Sequence, residues 1–134
     1  MANSDVSRLL ASVPTGLWIG GEERPAASTF EVLNPASDEV LATLANADAA
    51  DAVAALDTAC AVQHEWAATP ARERGEILRS VFEMIIDRAD DFATLMTLEM
   101  GKVLTESMGE VRYGAEFFRW FAEEAVRIHG RYAP

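Results

Sequence analysis

Apolar residues recur along this chain with two different periods, and the change falls near residue 48. Before it they come in short runs: Leu17-Trp18-Ile19, then Thr29 to Leu33, then Val40 to Leu44. Each run is bounded by residues that turn the backbone. Gly20-Gly21 accepts positive φ at both positions and predicts a tight hairpin after the first run. Asn34-Pro35 ends the second run, and Ser37-Asp38 supplies turn chemistry before the third. Residues 16–45 therefore predict small antiparallel β structure. A short helix precedes it, capped by Asn3-Ser4-Asp5, running through Leu10 and ended by Pro14.

From Asp48 onward the period lengthens to about 3.6 residues, which predicts helices over 48–129. Asp48 and Asp51 take the places of a capping box, with Asp where Glu is usual, and open a helix to about Ala67. Its predicted buried stripe is Val53, Leu56, Cys60 and Trp66. Thr69-Pro70 reads as N-cap and N1 of the next helix. That helix carries Ile77, Leu78, Val81, Phe82, Ile85 and Ile86 on a broad apolar face. Asp90-Asp91 begins a shorter helix through Leu95 and Leu98, with Gly101 at its C′ position. A last helix is predicted from about Leu104 to Ile128, and the chain contains no internal repeat.

That last helix is unusual. From Tyr113 to Ala122 only Glu116 and Arg119 are charged, and Phe117, Phe118, Trp120 and Phe121 point around most of the circumference. A helix apolar nearly all round must be covered on more than one side. With Tyr113 there are five aromatics, each with roughly 150–250 Å² to bury. Three other helices and a small hairpin suffice for one face, not two. The pattern predicts a missing partner, either more chain or another subunit.

Composition narrows the function classes. At 134 residues, half hydrophobic and a quarter charged, the chain reads as one soluble domain at most. A net charge of −11 argues against nucleic acid and against anionic membrane surfaces, both of which select basic patches. Lys102 is the only lysine. A single cysteine excludes an internal disulfide. Met1 to Ala11 lacks the pattern of a secretory signal, and no apolar run approaches the roughly 18 residues of a membrane span. The expected location is the cytoplasm.

Candidate chemistry is sparse. His64 and His129 are the only histidines and belong to no cluster with metal-ligand spacing. Cys60 lies among alanines with no base nearby, which predicts an inert buried thiol rather than a nucleophile. The acidic pairs Glu22-Glu23, Asp90-Asp91 and Glu123-Glu124 fall at caps or on a solvated face, without the cleft an acid/base pair needs. Gly101-Lys102 has the ending of a phosphate-binding loop. The earlier glycine is missing and Val103 replaces Ser/Thr, so a helix C-cap is the better account. There is no Gly-x-Gly-x-x-Gly. Spacing and chemistry alone yield no active site.

A set of short motifs in fixed order changes the picture. Leu17-Trp18-Ile19-Gly20-Gly21 is followed by Phe30-Glu31-Val32-Leu33-Asn34-Pro35. Trp66-Ala67-Ala68-Thr69-Pro70 comes next, with Arg72-Glu73-Arg74 and Ile77-Leu78, and then Leu98-Glu99-Met100-Gly101-Lys102. Together, over nearly the whole chain, they resemble the start of the aldehyde dehydrogenase superfamily. Gly109-Glu110-Val111 and the run Phe117 to Ala125 are similar to succinate-semialdehyde dehydrogenases. Val103 departs from the proline that many members carry after Gly-Lys, losing a favoured N1 residue.

The resemblance implies an α/β parent fold. Residues 1–134 would form a partial N-terminal part of its cofactor-binding domain, mainly helical with short N-terminal antiparallel strands. It implies a cysteine nucleophile, an oxyanion site built from an asparagine side chain and a backbone N–H, hydride transfer to NAD or NADP, and a glutamate that activates water. None of these maps onto residues 1–134, so no catalytic or cofactor-binding residue is assigned, no cofactor is expected for the segment alone, and it is expected to be inactive alone. Two minor sites carry over. Tyr113 falls where the family's helix lines the aldehyde tunnel, although a core aromatic is the alternative. The Val32 and Leu33 carbonyls with the Glu99 carboxylate match a monovalent-cation site of some members, against a plain helix-terminal role for Glu99. The implied partners are the remainder of the dehydrogenase chain and further copies in a homo-oligomer. The competing expectation, from a different class, is a stand-alone helical interaction module that offers the 113–121 aromatic surface to a partner protein.

Overall fold

The computed structural model describes residues 3–128 and Gly130. Helix α1 (Asn3–Ser12) precedes four short strands, β1 (Leu17–Ile19), β2 (Glu22–Arg24), β3 (Ser28–Leu33) and β4 (Val40–Asn46). Four helices follow, α2 (Ala49–Ala68), α3 (Ala71–Asp87), α4 (Ala89–Met100) and α5 (Leu104–Ala125). The fold is thus mainly helical with short antiparallel strands, as the two periods predict. Asn3 is already helical, and the expected cap at Asn3 and Ser4 concerns side chains outside those described. His129 is also outside the described residues.

The strands form two separate antiparallel pairs, β1 with β2 and β3 with β4. Gly20 and Gly21 adopt φ of 67° and 81°, a left-handed pair that turns the first hairpin. In the second, Val32 faces Ala42 while Leu33 faces Val40, so Leu41 is an extra residue that bulges β4. The connection between them is an Asn34 turn: its side-chain oxygen accepts from Ala36 N–H at 2.9 Å, and its carbonyl accepts from Asp38 N–H at 2.8 Å.

The two pairs are tied by the segment before β1. Ala45 N–H donates to the Thr15 carbonyl at 2.8 Å. On the other side, one Glu23 carboxylate oxygen accepts from Thr15 N–H at 3.0 Å and Gly16 N–H at 2.7 Å. A Cβ on Gly16 would lie 2.6 Å from Glu23 Cγ and 2.8 Å from the Arg24 carbonyl, so this clasp requires glycine.

Helix α5 is the centre of the helical part, packed on one side by α3 and α4. The most buried residues of these helices are mostly small. Ala93 of α4 and Ser107, Val111, Ala115 and Ala125 of α5 are buried, and Gly75 is the buried residue of α3. Thr97 and Ser107 share a hydrogen bond of 3.0 Å between α4 and α5, which satisfies the fully buried Ser107 hydroxyl. Gly101 ends α4 in the left-handed conformation at φ 70°, its N–H donating to the Thr97 carbonyl at 2.9 Å. Lys102 pairs with Glu110 of α5, so Gly101-Lys102 is a helix ending and a clamp rather than a phosphate loop.

Four expectations are corrected. The stripe Val53, Leu56, Cys60 and Trp66 is exposed, and α2 buries no residue. Its contact with the strands is through the small side: Thr58 Cγ2 lies 3.2 Å from where a Cβ on Gly20 would be. Cys60 is accordingly an exposed thiol, not a buried one. Thr69 does not cap α3. Its hydroxyl and N–H both donate back to the Glu65 carbonyl at 3.1 Å, closing α2, and Pro70 is the N-cap. A residue before proline avoids helical ψ, and Thr69 sits at ψ 132°. Val103 is the N-cap of α5, not N1, at φ −65° and ψ 133°. The Asp48/Asp51 capping box is present as expected: Asp48 accepts from Ala50 and Asp51 N–H at 2.7 and 3.0 Å, and Asp51 accepts from Asp48 N–H at 3.0 Å.

Candidate functional site

The candidate site follows from how α5 divides its circumference. Positions 107, 111 and 115, spaced by one helical turn, carry Ser, Val and Ala and face α3 and α4. Positions 113, 117 and 120 lie on another face and carry Tyr, Phe and Trp. Large rings there find no counterpart on α3 or α4, which meet α5 along its small side. Tyr113 remains 69% exposed and Trp120 63%. Phe117, Phe118 and Phe121 are exposed as well. The helix is therefore apolar on both sides but covered on one, as its composition predicts.

Within this face Tyr113 and Phe117 meet edge to face, ring centroids 5.2 Å apart at 86°. Tyr113, Glu116, Phe117, Trp120 and Phe121 line one shallow groove. Glu116 is held by Arg119 at 3.4 Å, and the Arg119 guanidinium lies 5.8 Å from the Phe82 ring of α3. The groove is thus aromatic, with its one carboxylate already paired. Such a surface offers apolar contact and one phenol O–H to whatever lies against it. Its lining suits binding of an apolar surface or group.

Val32 and Leu33 end β3, and Glu99 is an exposed residue near the end of α4. These two ends meet where the Pro35 ring lies 3.1 Å from the position a Cβ on Gly101 would take. The segments carrying the candidate cation ligands are therefore neighbours. Among the described residues no group of three or more His, Cys, Asp or Glu side chains is placed to hold a metal ion.

Several of the remaining titratable candidates have structural roles. Glu23 holds the Thr15-Gly16 clasp. Asp91 pairs with Arg88 at 3.3 Å, and Glu123 and Glu124 both pair with Arg127, at 3.8 and 3.0 Å. His64 and Cys60 stand exposed on α2. Sequence reasoning quoted Arg74 within a motif but missed its contact: the guanidinium donates to the Ala67 carbonyl at 2.9 Å. A cation placed on the last carbonyls of α2 complements the negative end of the helix dipole and ties the α2–α3 corner. It also missed the close contact at Gly75, for which the signal was a glycine inside a helical pattern. Among the described residues no helix is long and apolar enough to cross a membrane.

Comparison with known proteins gives this arrangement a context. Residues 22–134 match the aldehyde dehydrogenase family. Succinate-semialdehyde dehydrogenase of Paenarthrobacter nicotinovorans is 62% identical over 93 residues, which are 69% of this chain and 21% of that protein. The NADP⁺-named succinate-semialdehyde dehydrogenase of Escherichia coli K12 is 40% identical over 119 residues, 89% of this chain and 24% of that protein. The crystal structure of succinate-semialdehyde dehydrogenase from Burkholderia pseudomallei superposes with a TM-score of 0.85 at 38% identity, covering all of this chain and 27% of that one. The chain thus spans about a quarter of the length of the relatives it matches. With a match over most of its residues and the same fold throughout, the chain belongs to the aldehyde dehydrogenase family.

Proposed function

We propose that this chain acts as the N-terminal part of the cofactor-binding domain of an aldehyde dehydrogenase that oxidises succinate semialdehyde to succinate with NAD⁺ or NADP⁺. The observation that carries the substrate assignment is the 62% identity to a succinate-semialdehyde dehydrogenase. The nicotinamide cofactor would accept hydride in the complete enzyme, and no residue of this segment is assigned to hold it. Residues 1–134 by themselves turn over no aldehyde, because the nucleophilic cysteine, the oxyanion asparagine and the water-activating glutamate that the family uses lie outside them. The partners are the remainder of the dehydrogenase chain and further copies in a cytoplasmic homo-oligomer.

In this assembly Tyr113 borders the path of the entering aldehyde, and the Val32 and Leu33 carbonyls with Glu99 hold a monovalent cation. The bare aromatic face of α5 supports the first assignment, and the meeting of the β3 and α4 ends at Pro35 and Gly101 supports the second. The test is steady-state kinetics of the complete enzyme on succinate semialdehyde and on semialdehydes with longer carbon chains, with each nicotinamide cofactor. A higher kcat/KM for succinate semialdehyde is expected, and a preference for a longer chain overturns the substrate assignment.

The exposed aromatic face also favours a second reading, a free-standing interaction module that binds a partner protein through residues 113–121. A monodisperse 134-residue species that melts cooperatively is expected of the module. Aggregation or loose, dye-binding helical structure is expected of the dehydrogenase segment.

A further inference from the structure

We draw no further inference here: the strongest candidate, the exposed aromatic face of α5 formed by Tyr113, Phe117, Trp120 and Phe121, belongs to the site already described, and nothing in the structure shows what else covers it.

Discussion

Gly75 of α3 faces the Ala122 carbonyl of α5 so closely that a Cβ on Gly75 would lie 2.8 Å from that oxygen. Both neighbours are helix backbone, so neither side can turn aside as a flexible side chain would. Gly75→Ala gains about 1 kcal/mol of helix propensity, but forcing two packed helices apart costs about 1–3 kcal/mol. The expected outcome is a net loss of stability, read as a lower denaturation midpoint. Gly109→Ala is the control, since a Cβ there meets nothing within 4 Å. It keeps the propensity gain without the clash and is expected to raise the midpoint.

The Thr97–Ser107 hydrogen bond predicts a coupled pair. Ser107 is fully buried, and Ser107→Ala leaves the Thr97 hydroxyl without its partner, at a cost of about 1 kcal/mol. Thr97→Val is expected to cost a similar amount. The double substitution is expected to cost less than the sum, because it removes both polar groups together. Denaturation of the four proteins of the cycle measures this; additive losses would mean that the two hydroxyls do not depend on each other.

At the start of α2 the capping box makes a local prediction. Asp48→Ala removes the acceptor for two backbone N–H groups and is expected to cost about 1 kcal/mol. Amide hydrogen exchange is expected to accelerate in the first turn of α2. Asp51→Glu restores the usual capping-box residue and is expected to leave exchange there unchanged or slower.

How much of this was legible beforehand depended on whether a feature is local. The Gly20-Gly21 hairpin, the Asp48/Asp51 box and the Gly101 ending each need only neighbouring residues, and the sequence pattern placed all three. Which face of α2 turns inward is not local. With alanine on every side of that helix, periodicity favours the large residues Val53 and Leu56 for burial, whereas Thr58 on its small side is what fits against Gly20. The same preference for close backbone approach puts Gly75, Ala93 and Ala115 into the core. Tyr113 and its neighbours were legible as too many rings for one short chain, because that is a matter of surface area and not of geometry. The chemistry proposed for the complete enzyme rests only on resemblance to the family.

The aromatic face predicts a dependence on context. In residues 1–134 alone, where Trp120 is mostly exposed, Trp120→Ser is expected to raise solubility by breaking the apolar patch. In the proposed complete enzyme the same substitution is expected to lower the melting temperature by several degrees, because on that reading the remainder of the chain covers the ring. An unchanged melting temperature of the longer protein would show that the face stays bare.

Tyr113 offers a kinetic test of the aldehyde path. In the complete enzyme Tyr113→Ala is expected to raise the KM for succinate semialdehyde severalfold while the KM for the nicotinamide cofactor stays within about twofold. Loss of an interaction made equally with substrate and transition state moves KM rather than kcat. Unchanged aldehyde KM would remove Tyr113 from the path.

The most direct test of the account is a paired turnover assay, following reduction of NAD⁺ or NADP⁺ with succinate semialdehyde. The two proteins compared are purified residues 1–134 and a longer protein in which they are joined to the remainder of the dehydrogenase chain proposed above. Turnover by the longer protein and none by residues 1–134 is the expected result. Aldehyde oxidation by residues 1–134 alone, or none by the longer protein, would contradict it.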